Sequence, residues 1–427
     1  MVTVSQPRND FAIETQDRTY LRELARKMAE YAALPIMEER RRAWRAHNAL
    51  RGKKPMLVME ENSFAPDFLP PLRLRGEAAR LEDQLLRAIL NHEVTGDDKV
   101  VPGGIEIPWE IHRREFDLDL RRTHAADQTG REVGYAEEHP IQDLARDFHL
   151  LKPSVHSVNR ERTFQRVRFA EEILGDLLPV RIINDSLRWF VTPSRMVNSL
   201  MGTEGFMLAM IDNPDEMHAL YRFLQEDMTR FLDWQEQEGL LVLNNGNDYA
   251  GAGSFGFTDE LPKSEAALSG RPKKGDLWFN MNSQETVSIS AAMYEEFIHP
   301  CYAAMAEQCG LVYFGCCEPV HPIWDRCVSK LHGLRKVSVS AWCDEAFMGE
   351  RLRGSRVIYS RKPNPTLLGV GAFDPERFRA HIAHTLEAAK GCQTEIIFRD
   401  IYSLCGEKDR AGRAIRIARE LIEEMWE

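Results

Sequence analysis

The chain has no apolar run long enough to span a bilayer, which takes on the order of 18 residues. Its first residues, MVTVSQPRNDFAIETQ, lack a basic segment leading into an apolar one, so neither a spanning helix nor a secretory signal is expected. The expected location is the cytoplasm. Positive charge is also short: 55 Lys+Arg against 66 Asp+Glu give a net charge of -11, which argues against the basic face that a nucleic-acid binder needs. No glycine-rich fingerprint follows an apolar run, and this lowers the case for a dinucleotide fold. No Cys-x-x-Cys pair occurs, so a structural zinc finger is excluded. No cysteine precedes Cys301, and all eight lie between Cys301 and Cys405. In a reducing compartment such cysteines act as thiols, thiolates or metal ligands and not as staples. Internal repeats and low-complexity tracts are absent as well.

What is present is ordinary for a globular chain: 427 residues, 43% hydrophobic and 28% charged. Residues 17–51 read as a charged helical segment, with Leu21, Leu24, Ala25, Met28 and Ala32 near one face. Met56–Met59 is a short apolar run, and a second helix is expected over about 77–92. Residues 95–140, rich in Gly, Pro, Asp and His, predict loops or a hairpin beside an active site.

From residue 163 the rhythm changes. Helices are expected over 163–175, 195–212, 214–238, 285–309, 319–332, 344–353, 374–391 and 409–426. Strands are expected over 179–184, 240–244, 311–315, 335–340, 356–360 and 394–399. Short apolar runs alternating with amphipathic helices imply parallel βα units. The expected fold class is therefore α/β, a (β/α)8 TIM-type barrel with an N-terminal helical extension. Residues 1–140 form that extension, with the option of supplying the first strand, and 141–427 form the barrel.

Reactive groups of such a barrel sit at the carboxyl ends of its strands. Three ends stand out: Leu311–Phe314 runs into Gly315, Cys316, Cys317, Glu318 and His321; Val337–Ser340 runs into Trp342, Cys343 and Asp344; Ile396–Phe398 runs into Arg399, Asp400 and Cys405. Thiolates from different strands, joined by a carboxylate or an imidazole, are the donor set of a catalytic zinc site with one open position. Two further ends offer polar groups, Asp185, Arg188 and Trp189 after one run and the Asn244–Gly251 stretch after another. The latter is too polar for core and suits a substrate loop, with Asp248 able to take a proton. Plainer roles exist for the same residues: Asp344 as a helix N-cap, His321 as a cap of the helix near Pro319, Cys317 and Cys405 as unreactive thiols, and Arg399–Asp400 as a structural ion pair.

Met201-Gly202-Thr203-Glu204-Gly205-Phe206 and Asp212-Asn213-Pro214-Asp215-Glu216 resemble segments of the uroporphyrinogen decarboxylase superfamily. Gly315-Cys316-Cys317-Glu318 is similar to the His-x-Cys-Gly strand end of its corrinoid and coenzyme M methyltransferases. The resemblance covers about residues 140–427. It implies the methyltransferase branch, because the arginine-bearing segment that marks the tetrapyrrole cleft of the decarboxylases is not found. It further implies zinc held by Cys317 and Cys405; the family histidine falls on Gly315, so Glu318, His321 or Asp344 would complete the set. The implied activity moves a methyl group from a small methylated substrate, methoxyaromatic or methylamine-like, to a corrinoid on a partner protein. Trp109, His112, Arg188, Trp189, Asn245, Tyr249, Trp278 and Phe279 would line the substrate site. The alternatives are a metal-free decarboxylase or lyase acting on a small carboxylate through Asp185, Arg188 and Asp248, and a non-catalytic barrel that holds a ligand or a corrinoid partner. A homo-oligomer is compatible with each.

Overall fold

A computed structural model describes residues 10–126 and 132–426. Two helices come first, Thr15–Ala32 and Pro35–Asn48. The single helical segment expected over 17–51 breaks at Pro35, which has no amide hydrogen to continue the ladder and instead starts the second helix. Leu21, Ala25, Met28, Met37 and Trp44 are fully buried in one cluster with Leu81, Leu85 and Ile89 of the Gly76–Val94 helix.

Eight short strands run in parallel partnerships: β1 Met56–Met59, β2 Ile105–Pro108, β3 Val180–Ile183, β4 Trp278–Met281, β5 Leu311–Phe314, β6 Leu334–Val339, β7 Ile358–Arg361 and β8 Thr394–Phe398. Six of them form a central sheet in the order β1-β8-β7-β6-β5-β4, and β2 pairs with β3 apart from it. The fold is thus mixed α/β with a six-stranded parallel sheet. Strand pairing among the described residues does not close an eight-stranded barrel, and side chains bond to the backbone along part of both sheet edges. On β1, Leu57 N donates to Asp98 Oδ2 at 2.8 Å and Met59 N to Asp97 Oδ2 at 2.9 Å. On β4, the Asn244 amide accepts from Trp278 N and donates to Trp278 O, both at 2.9 Å. Residues 240–244 are therefore not the expected strand; a side-chain amide replaces the ladder there.

Two expected helices are also corrected. Residues 285–309 break into short turns, a π turn over Tyr294–Ile298 and a helix over His299–Ala306, since Pro300 cannot donate into a continuous ladder. Residues 319–332 hold only the 3-10 turns His321–Ile323 and Val328–Lys330, in a segment carrying Pro319 and Pro322. Within 95–140, Arg122–Ala126 and Glu132–Glu137 form an antiparallel hairpin; it lines neither of the two cavities at the strand ends, and residues 127–131 lie outside the described residues. No helix among the described residues is long and apolar enough to cross a membrane.

Side chains of a strand alternate between faces. Val337, Val339 and Tyr359 face the helical layer and belong to the main apolar core. Lys336, Ser360 and Glu395 face the other way and meet one another inside the curve of the sheet. That alternation positions the site.

Candidate functional site

The interior of the sheet carries a column of buried polar groups. Lys336 Nζ lies 3.1 Å from Glu395 Oε2, and both side chains are fully buried. Trp44 and Trp278 hold the ammonium between their rings at 5.3 and 5.6 Å. Glu395 also accepts from Ser254 Oγ at 2.8 Å and from Ser360 Oγ at 2.5 Å, and His47 Nε2 lies 3.1 Å away. Burial opposes ionisation of Glu395, yet Lys336, His47 and Lys362 together hold its carboxyl well below the usual carboxylate range.

Directly above this column, at the carboxyl ends of β5 to β8, lies a cavity of about 510 Å³ lined by Cys316, Cys317, Lys362, Arg399, Asp400 and Trp189, among others. Lys362 follows β7 and is 4% exposed. Its Nζ lies 2.6 Å from Tyr313 OH, 2.6 Å from Ser360 Oγ and 3.1 Å from Ser360 O. No carboxylate among the described residues forms an ion pair with it. Burial, opposed by Glu395 and helped by Arg399, pulls the Lys362 amine down to about 7. An amine so placed exchanges a proton near neutral pH.

Arg399 follows β8, the neighbouring strand. Its Nε lies 3.2 Å from Glu60 Oε2 and 3.3 Å from Asp400 Oδ2, and its guanidinium sits 5.6 Å from the Trp189 ring centre. Nε faces these two carboxylates without an aligned hydrogen bond, and Nη1 is buried with no hydrogen-bond partner. A guanidinium at a cavity wall is suited to an anionic ligand, which would share it with Glu60 and Asp400. Cys317 Sγ donates to Asp400 Oδ2 at 3.1 Å and lies 3.4 Å from Cys316 Sγ. The hydrogen bond with Cys316, then burial and Asp400, push the Cys317 thiol up, so it stays protonated. Trp189 and Asp400 line this cavity and both take left-handed backbone angles, φ 57° and 58°. Such conformations cost about 1–3 kcal/mol and cluster at functional sites.

A second cavity of about 320 Å³ opens on the β1, β3 and β4 side. Two contacts stand between it and the first: Glu60 against Arg399, and Tyr249 against Trp189 at 5.9 Å between ring centres. Asp185 and Arg188 pair at its rim at 3.1 Å. Asp248 is held by Arg181 at 2.9 Å and by Gly246 N at 3.0 Å.

The residues singled out in the sequence separate accordingly. Trp189 and Cys317 reach the first cavity; Asp185, Arg188, Asp248, Tyr249 and Trp278 line the second. Trp109 packs edge-on to Phe164, and His112 is exposed beside Glu110; neither lines either of these two cavities. Asn245 donates to Leu261 O at 2.7 Å and serves its own loop. Phe279 is buried in the apolar core behind the sheet.

The metal set does not assemble. Glu318 is buried and accepts from Ser283 N at 2.9 Å and Cys316 N at 2.8 Å, tying the ends of β4 and β5 together. Asp344 caps the Glu345–Leu352 helix, its Oδ1 accepting from Phe347 N at 2.9 Å. His321 Nδ1 accepts from Asp344 N at 3.3 Å. Cys405 is exposed, with Sγ directed at Gly369 O at 3.5 Å, and is absent from the cavity that holds Cys317. Among the described residues no group of three or more His, Cys, Asp or Glu could hold a metal ion, so these residues do not fit the expected zinc.

Sequence reasoning missed Lys362, Lys336, Ser360, Tyr313, Glu395 and Glu60. The signal was there: Lys336-x-Ser338-x-Ser340, Ser360-x-Lys362 and Glu395-x-x-x-Arg399 put polar residues at positions of one parity along three successive strands.

No protein-family model matches the chain, and no curated protein does. Among solved structures it is similar to one described as "methyltransferase from Methanosarcina mazei", with a TM-score of 0.50 and 13% identity over 89% of this chain and 97% of that one. At that identity the likeness is one of fold. The class it supports is the mixed α/β architecture with a parallel sheet described above.

Proposed function

We propose that this protein is a metal-independent enzyme that acts on a small carboxylate in the cavity above β5 to β8, as a decarboxylase or lyase. Arg399 holds the carboxylate and Lys362 exchanges the proton. The observation that carries the reading is the placement of Lys362: a buried amine at the cavity floor, bonded to hydroxyls and a carbonyl and poised near neutral pH, one strand away from a guanidinium that lines the same cavity. General acid–base groups work best when their pKa lies near the working pH. This reading keeps the small-carboxylate chemistry but moves it from Asp185, Arg188 and Asp248, which line the other cavity, to the cavity that holds the buried amine. The test is proton exchange. Small oxo carboxylates incubated with the protein in D2O are followed by proton NMR; loss of exchange in Lys362→Met and Arg399→Gln, both checked for folding, supports the assignment, and exchange unchanged in both removes it.

A second reading, methyl transfer, draws on the name of the structural neighbour and on the aromatic rim, where Trp342 and Tyr402 are 69% and 64% exposed. In it a small methylated donor, methoxyaromatic or methylamine-like, gives its methyl to a corrinoid on a partner protein. Without a fitting zinc set, Lys362 in its protonated form would supply the proton to the leaving heteroatom. Formation of methylcobalamin from reduced cobalamin and such donors would favour this reading over the first.

A further inference from the structure

We propose that Lys362 is a covalent site, forming an imine with the carbonyl of a small oxo acid whose carboxylate rests on Arg399. The inference rests on the carboxylate reading above and names its substrate class. Three features of the site beyond simple acid–base work point to it.

The first is the isolation of the amine from carboxylates. Lys336, one strand over, is paired directly with Glu395 and is committed to it. Lys362 reaches that carboxylate only through Ser360, whose hydroxyl donates to Glu395 Oε1 at 2.5 Å. A desolvated lysine beside a second cation keeps its lone pair and becomes a nucleophile; here the second cation is Arg399, on the adjacent strand.

The second is a proton route. Tyr313 OH lies 2.6 Å from Lys362 Nζ and 2.8 Å from Ser360 Oγ, so a hydroxyl chain joins the amine to the ionised Glu395. Imine formation needs such a route. The Nζ lone pair adds to the carbonyl carbon as the carbonyl π pair moves to oxygen. The oxygen collects two protons in all and departs as water, and the nitrogen gives up its two hydrogens to leave the C=N bond. Amine plus ketone thus gives imine plus water, with no oxidant or reductant. Protonation of the imine through Tyr313 then makes it an electron sink for an adjacent C–H or C–carboxylate bond.

The third is the distance between functions. Lys362 and Arg399 follow neighbouring parallel strands whose register pairs Arg361 with Ile396, so both heads rise into one cavity. An oxo acid carries its carbonyl one or two carbons from its carboxylate, a span that suits side chains on adjacent strands.

The experiment uses the full chain with pyruvate and, separately, acetoacetate, each reduced with sodium borohydride and mapped by peptide mass spectrometry. The expected result is a reduced adduct on Lys362 that requires both oxo acid and borohydride, with about tenfold less in Arg399→Gln, the size of one charge-assisted contact. Wild-type mapping locates the adduct directly, so the result does not depend on whether Lys362→Met folds. An adduct spread evenly over surface lysines, or absent from Lys362 with both acids, overturns the imine. If Lys362-dependent deuterium exchange persists in that case, the acid–base reading stands without the covalent step; if exchange is absent too, both fail.

Discussion

Ser360 and Glu395 are register partners on neighbouring parallel strands, and the Ser360 hydroxyl donates to Glu395 Oε1 at 2.5 Å. That contact joins the buried Lys336–Glu395 pair below to the Lys362 amine above. Structure and chemistry therefore share one hydrogen-bonded column, and substitutions along it separate the two roles.

Glu395→Gln should be strongly destabilising. It leaves Lys336, fully buried, without a counter-charge, a loss of about 3–5 kcal/mol for a broken buried pair. Chemical denaturation measures it, and Lys336→Met in the same chain should recover part of the loss. The pH dependence has a definite sign. The folded-state pKa of Glu395 is depressed from an ordinary 4.5, so its contribution is complete above that value and is lost as pH falls towards the folded pKa. Glu395→Gln should show a shallower acid slope.

Lys362 should react with an amine-directed acylating reagent along a curve with its midpoint near pH 7, below that of exposed lysines. Site-resolved mass spectrometry reads this without any substrate. As a catalytic base the neutral amine is the active form, so turnover should rise with pH through about 7 and then level. A midpoint in the ordinary lysine range would contradict the assignment.

Cys405→Ser should leave stability within about 0.5 kcal/mol of wild type, because the thiol is exposed. The same variant and Cys317→Ser should not change the zinc content of the purified protein. Stoichiometric zinc lost in both variants would restore the metal centre that the geometry does not form.

Asp344→Ala should cost about 1 kcal/mol through loss of the cap on the Glu345–Leu352 helix, with activity retained. A collapse of activity at constant stability would give Asp344 a role at the site.

Six of the eight parallel strands were legible because their apolar runs are short and bounded, and Leu311–Phe314, Leu334–Val339 and Thr394–Phe398 lie close to where the pattern placed them; Ile105–Pro108 and Trp278–Met281 were not expected as strands. The 240–244 run was misread because nothing in its apolar residues shows that the Asn244 amide replaces the ladder. The helix expected over 319–332 failed where Pro319 and Pro322 outweighed its apolar spacing. At the site, inspecting only residues beyond the strand ends found Cys317, Arg399 and Asp400 but passed over Lys336, Ser360 and Glu395, which lie inside the strands. Side-chain pairing such as Cys317 with Asp400 is long-range, 83 residues apart, and spacing alone does not show it.

Deuterium exchange into small oxo carboxylates, followed in wild type, Lys362→Met and Arg399→Gln of verified fold, tests the central claim most directly. The account predicts exchange in wild type that rises with pH through about 7, none in Lys362→Met, and weakened substrate binding in Arg399→Gln. Exchange that survives the loss of Lys362, or that is lost only when Asp185 or Asp248 is changed, would contradict it.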